Sequence, residues 1–284
     1  MKKSLLLFSL LKCWEKSTFA YTILGGLDEK QDDGEKEEES IVTETLYHFN
    51  KKVQLRTQSH EASGRVSMAG TLWEASPVLA HYITNPFCPI EGIQRTTLEG
   101  DANPHFEVET PTTVVELGSG IGLVSLAAAL LGCEVVATDG SPSSIRLLKE
   151  NFENYSNEFE VMPKAAILDW GDLNAAENLV RYDLNGRYPD VILASDVIYA
   201  HSAKTELFDT IKYLCPQGHK GSVLIAHRWR TEPEEEMGFF ERFDNEFDRE
   251  EVGPEWFPQD NYYRTKSMID FKYPVSIYQM KRKW

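Results

Sequence analysis

Nine residues, Val114-Val-Glu-Leu-Gly-Ser-Gly-Ile-Gly122, constrain this chain more than any other stretch. Two β-branched residues and a leucine make a short buried strand, with a carboxylate, Glu116, near its end. Glycines then occupy positions 118, 120 and 122, and the apolar run over residues 121–131 starts a helix. A strand that breaks through a glycine turn into a helix leaves backbone N–H groups facing whatever lies above the sheet. A nucleotide-type ligand is the natural occupant of such a turn.

The spacing of the glycines separates two kinds of ligand. Dinucleotide folds require G-x-G-x-x-G, and Leu123 stands where the third glycine would fall. Glu116, just ahead of the turn, is a charge that a pyrophosphate would not welcome. It suits the cationic amino-acid end of S-adenosylmethionine. The next strand, 134–138, ends in Asp139, about twenty residues on, where a ribose-binding carboxylate belongs. The glycine loop alone also fits a plain tight turn; the combination with strand, acid, helix and Asp139 is what gives it meaning.

The surrounding alternation supports the same architecture. Strand 112–117 leads to helix 121–131, and strand 133–138 to helix 141–154. A strand near 159–168, a helix around 173–183, the apolar strand 191–195, helix 203–214 and strand 221–226 follow. The pattern predicts an α/β fold: a Rossmann-like, seven-stranded, mostly parallel sheet with helices on both faces. It closes with an antiparallel C-terminal pair near 266–272 and 275–281.

Ahead of this core, residues 1–43 read as a partly disordered N-terminal extension whose acidic segment 28–40 has little to bury and reads as a flexible linker. Residues 44–84 read as a flap of two short strands (46–49 and 53–55) and a helix that opens at Gly70-Thr-Leu-Trp-Glu-Ala-Ser-Pro77 and runs to about Thr84. Residues 85–110 hold three prolines and two glycines and read as a loop or insertion. The core occupies 111–284.

Charge and cysteine usage narrow the partners. The net charge of −16 is concentrated in residues 27–45, with nine acids against two bases, and in residues 231–251, with ten against two. Such a surface excludes a nucleic-acid backbone and permits a basic protein substrate. Cys13, Cys88, Cys133 and Cys215 are scattered without a metal-ligand spacing, so no metal is expected and a cytoplasmic, or also nuclear, location is. Residues 1–11 imitate a signal peptide, but Lys12, Glu15 and Lys16 spoil the cleavage region. No run reaches the ~20 apolar residues of a membrane span, and a monomer is expected.

Three further polar features fall at the carboxyl ends of strands, where ligands sit in open parallel sheets. In Asp169-Trp170-Gly171 an acid can accept from an adenine amine and an indole offers a flat face, although a Trp at this place also plugs a core edge. In Asp196-Val-Ile-Tyr199 a carboxylate and a phenol can hold an amine in line with a methyl donor, and Asp196 can take part in removing the ammonium proton. A strand-capping Asp with a core-facing Tyr fits the spacing equally well. His227-Arg-Trp-Arg230 reads as a substrate-side loop, with His227 structural rather than a base. Trp73 and Glu74 precede the core, where Trp73 folds over the ligand as a lid or anchors the flap.

On these residues the chain resembles the class I, seven-β-strand, S-adenosylmethionine-dependent methyltransferases, and within them methyltransferase family 16, the DxxY-type protein lysine methyltransferases. The resemblance rests on Leu72-Trp73-Glu74-Ala75, Glu116 through Gly122, Asp139, Leu168-Asp-Trp-Gly171 and Asp196-Val-Ile-Tyr199, and covers about residues 44–284. It implies methyl transfer from S-adenosylmethionine to a lysine ε-amine of a folded, non-histone protein. It further implies a cofactor set of Trp73, Glu116, Gly118, Ser119, Gly120, Asp139, Asp169, Trp170 and Ala194. Glu116, Gly118 and Gly120 would line the methionine side, Asp139 the ribose, and Asp169 with Trp170 the adenine. Asp196 and Tyr199 would be the catalytic pair framing the lysine.

The chain departs from the family's pattern in its first forty residues, in the length of 85–110, and in the acidic segment 231–251, where the protein substrate is expected to be chosen. Histidine, terminal-amine or small-molecule N-methylation, and a catalytically silent S-adenosylmethionine-binding module, are the alternatives. NAD-dependent oxidoreduction is disfavoured by Leu123.

Overall fold

Short strands flanked by apolar helices on both sides must bury both faces, and the observed sheet does so. In the computed structural model, β3 (Thr113–Leu117) is paired in parallel with β4 (Glu134–Asp139) on one side and with β6 (Val191–Ser195) on the other. β5 (Lys164–Ile167) extends the sheet beyond β4, and β7 (Ser222–Arg228) extends it beyond β6. β9 (Val275–Arg282) then pairs antiparallel with β7, and β8 (Phe247–Glu251) antiparallel with β9. The order β5-β4-β3-β6-β7-β9-β8 is the expected seven-stranded, mostly parallel sheet. The structure describes residues 37–46, 49, 51–60, 70–85, 111–198, 203–230, 233–253 and 275–284. All of them lie in one compact unit, 36–284.

Alternate residues of each strand feed two separate cores. Val114, Val135, Val191 and Leu224 face α1 (Ala75–Thr84), α2 (Leu123–Leu130) and α3 (Pro142–Glu153). Val115, Val136, Ile192 and Val223 face α4 (Leu173–Asn178), α5 (Lys204–Leu214) and α6 (Pro233–Phe243). From β3 the chain steps outward to β4 and β5, then returns to lay β6 on β3's other side. The strand order therefore reverses between β3 and β6, and the crevice above that switch point is where an open α/β sheet binds its ligand.

Gly122 shows why the turn after β3 needs glycine. Its φ of +90° is left-handed, and a Cβ there would come 2.6 Å from Leu148 Cδ2 on α3. Absence of a side chain lets α2 begin hard against α3.

The flap is longer than the sequence suggests. β1 (Glu37–Leu46) and β2 (Lys51–His60) pair antiparallel along their whole length, so β1 takes in residues 37–40 of the segment read as a linker and crosses the expected boundary at 43/44. Backbone pairing to Gln58, Ser59 and His60 organises this acidic run, which has no hydrophobic pattern of its own. The far edge of β2 is occupied by side chains of α3 and the turn after it. The Arg56 N–H donates to Asn151 Oδ1 at 2.7 Å and the Gln54 N–H to Tyr155 Oη at 2.6 Å. Asn151 Nδ2 and Tyr155 Oη in turn donate to the carbonyls of Arg56 and Gln54 at 3.2 Å each. Two side chains thus stand in for a neighbouring strand.

At the C-terminal end, 275–281 is a strand as expected, while 266–272 lies outside the described residues. The partner of β9 among the described residues, besides β7, is β8, drawn from the acidic segment 231–251. That segment also forms α6, whose Phe239, Phe240 and Phe243 are fully buried, with Phe239 meeting the other two rings edge-on. Phenylalanines at i, i+1 and i+4 give an amphipathic helix its inner face, and the dense acids mask this periodicity.

Candidate active site

The glycine turn is fixed from β4. The Ser119 N–H donates to the Thr138 carbonyl at 2.9 Å, and the Thr138 N–H donates to Ser119 Oγ at 3.1 Å. Ser119 therefore carries the β3–β4 pairing one step past the strand, with its side chain turned to β4. Asp139, at the end of β4, accepts from the Gly120 N–H at 3.1 Å through Oδ2 and from the Ser141 N–H at 2.9 Å through Oδ1. Each oxygen retains a lone pair, which is what a vicinal diol requires.

Glu116 is 1 % exposed. Its Oε2 accepts from the Ser125 N–H at 2.9 Å and from the Ser125 hydroxyl, at the start of α2. Burial pushes its carboxyl up to about 7, and Asp139 adds to the rise against the hydrogen bonds from Ser125 and Ser119. A buried acid of this kind is a receptive partner for a cationic ligand group.

Gly118 sits at φ +67°, and a Cβ on it would lie 2.9 Å from Val197 Cγ1 and 3.1 Å from Trp170 Cζ2. The Trp170 ring thus lies against the turn, from the loop after β5. A Cβ on Gly140 would collide with Asp169 Oδ1, so Asp169 leans on the loop after Asp139. Ala194, fully buried on β6, stands opposite Leu117 of β3. Eight of the nine expected cofactor residues therefore surround the carboxyl ends of β3, β4, β5 and β6. Glycines where a Cβ would clash, paired acceptors at Asp139 and an indole at Trp170 fit an adenosyl group. Among the described residues no group of three His, Cys, Asp or Glu could hold a metal ion.

The ninth, Trp73, takes part in a second cluster above β6 and β7, built on Asp196. This residue has φ +56°, a left-handed backbone that costs a non-glycine residue strain, and its side chain is 1 % exposed. Its N–H donates to the Ala226 carbonyl at 2.9 Å. Its Oδ2 accepts from the Ala75 N–H, the first residue of α1, at 3.0 Å. Its Oδ1 accepts from the Arg228 N–H at 3.2 Å and from Arg230 Nη1 at 2.8 Å. Arg230 Nη2 also lies 3.5 Å from Glu74 Oε2, Glu74 pairs with Arg228, and the guanidinium sits 5.3 Å from the Trp73 ring centroid. Asp196 thus accepts from the first N–H of α1 and from the residues after β7, instead of capping its own strand. Tyr199 lies outside the described residues.

His227 is buried among Trp229 and Phe240, the structural place expected of it. It and Arg228 belong to β7, so the loop begins at Trp229 rather than at His227. Sequence reasoning placed Arg230 in that loop without a role, and its pairing with Glu74 joins residues 156 positions apart.

The profile of the lysine methyltransferase family matches residues 50–246. The chain is similar to protein-lysine methyltransferase METTL21E of Bos taurus, 35% identical over 172 residues, which cover 60% of this chain and 55% of that one. It is also similar to protein N-lysine methyltransferase METTL21A of Mus musculus, 30% identical over 190 residues, covering 66% of this chain and 72% of that one. The match thus spans little more than half the length of the METTL21E relative. Among solved structures, the 16S rRNA N2 G1207 methyltransferase RsmC of T. thermophilus aligns over 86% of this chain and 51% of its own, with a TM-score of 0.53 and 14% identity, a likeness of fold alone. With the profile covering the hairpin's second strand through the end of α6, this chain belongs to the lysine methyltransferase family.

Proposed function

We propose that this protein transfers a methyl group from S-adenosylmethionine to a lysine ε-amine of a non-histone protein in the cytoplasm. The observation that carries this reading is the carboxylate of Asp196, immobilised at the end of β6 next to Val197, a residue that a Cβ on Gly118 of the glycine turn would strike. When bound, S-adenosylmethionine supplies a methyl group made electrophilic by its sulfonium. Glu116 would meet the cofactor's amino group, Asp139 the ribose, and Asp169 with Trp170 the adenine. The chain's remaining task is to present a neutral amine in line with that methyl. The Asp196 carboxylate, held in place through Oδ2 by the Ala75 N–H, is the acceptor for the amine. It fixes the nitrogen's direction and accepts its proton or passes it to water. Tyr199 completes the pair that the family resemblance implies.

Incubation with labelled S-adenosylmethionine and cell lysate, followed by mass spectrometry of labelled peptides, tests the reading. Label on lysine supports it. Label on histidine or a terminal amine, or none despite tight cofactor binding, overturns it.

A further inference from the structure

A carboxylate beside an aromatic face is a seat for an ammonium group. Asp196 and Trp73 form such a seat, and one cation bridges them. The Arg230 guanidinium lies 5.3 Å from the Trp73 ring centroid and donates to Asp196 Oδ1 at 2.8 Å. The two partners differ in freedom. Asp196 is held by the N–H groups of Ala75 and Arg228 on a left-handed backbone and is buried, whereas the Arg230 side chain is 29% exposed. The arginine, whose Nη1 also donates to the Arg228 carbonyl at 3.3 Å, is the partner nearer solvent, and it has somewhere to go. Its Nη2 stands 3.5 Å from Glu74 Oε2, a long contact that would shorten if Asp196 were taken by another cation.

We propose that Arg230 is an internal occupant of the seat for the substrate's ammonium group, and thereby a specificity-determining residue. An incoming amine reaches Asp196 by displacing the guanidinium toward Glu74. A free or short alkylamine has little besides its own charge to offer in exchange and is rejected. An amine on a docked protein surface brings contact energy from elsewhere to drive the displacement. The arrangement makes methylation conditional on docking, and it rests on the amine-methyltransferase reading above.

The test is a titration of the full chain with n-butylammonium, a mimic of the lysine side-chain end, followed by ¹⁵N NMR of the tryptophan indole N–H signals. The signal missing in Trp73→Phe identifies Trp73. Arg230→Gln should bind n-butylammonium roughly ten-fold more tightly than the wild type, the scale of one charge-assisted hydrogen bond, with the Trp73 signal shifting. The gain should vanish when Asp196→Asn is added. Arg230→Met, which keeps the side-chain stem over the indole, gives the same comparison should Arg230→Gln not fold. Equal affinity in wild type and variant overturns the proposal, as does a gain that survives Asp196→Asn. The titration needs no cofactor, so its failure is distinct from a failure to label lysine.

Discussion

Asn151 Nδ2 donates to the Ile121 carbonyl at 2.9 Å, so a side chain of α3 holds the middle of the glycine turn. The same amide pairs with the backbone of Arg56 on β2, which ties the N-terminal hairpin to the ligand turn through one residue. Asn151 is fully buried and so is its bond to the Ile121 carbonyl, whereas its bonds to the Arg56 backbone are only partly buried. Asn151→Ala should cost about 1–3 kcal/mol, measured by urea unfolding, because it orphans the buried Ile121 carbonyl. It should also raise the proteolytic susceptibility of residues 37–60. A loss below about 0.5 kcal/mol would mean the bridge carries nothing beyond an ordinary surface contact.

Gly118→Ala meets two obstacles at once, a left-handed φ of +67° and contacts at 2.9 and 3.1 Å with Val197 and Trp170. The backbone strain alone is about 1–2 kcal/mol. The indole must also shift, so S-adenosylmethionine affinity by calorimetry should fall at least roughly ten-fold, a change of about 1.4 kcal/mol. Unchanged affinity would remove Trp170 from the adenine side.

Glu116 sets a pH dependence whose sign follows from its environment. Its folded-state value of about 7 lies above the ordinary 4.5, so the folded protein holds this proton more tightly than the unfolded chain does. The resulting penalty is absent below 4.5, grows as pH rises toward 7, and is constant above. Glu116→Gln keeps the acceptor for Ser125 and removes the charge. The cofactor-free variant should gain stability relative to wild type between pH 5 and pH 8, by up to about 3 kcal/mol. Thermal unfolding across that range decides it, and a difference that does not change with pH would contradict the assignment.

Asp196→Asn keeps one oxygen, enough for Arg228 and Arg230, and turns its NH2 toward the Ala75 N–H, so stability should fall by about 1–3 kcal/mol while cofactor affinity holds within a few-fold. Methyl transfer to a substrate identified by labelling should drop by roughly 100-fold or more, the scale of a lost positioning or proton-accepting group. Wild-type turnover in this variant would remove Asp196 from the chemistry.

The placement of the candidate cofactor residues was legible because they are local in sequence. Glu116, the alternate glycines and Asp139 belong to consecutive elements of one βαβ unit, and Asp169-Trp170 follows the next strand, so a parallel sheet brings them to one edge. The substrate half was only partly legible. Asp196 was visible at a strand end, but its contacts come from Ala75 and Arg230, distant in sequence in opposite directions. Nothing local marks such a pairing. The same holds for β8, whose charges Asp248, Arg249, Glu250 and Glu251 look like a solvated run until β9 supplies a backbone to pair with. Residues 37–40 were read from composition as unstructured, and a partner strand overrode that reading.

The inverted main-chain twist at Asp196 has a consequence for turnover itself. Its carboxylate is aimed by the polypeptide while the protein folds, so in the proposed reaction every cycle would begin with that group already at rest. The search that a freely rotating acid would have to repeat at each encounter is completed once, before any substrate arrives.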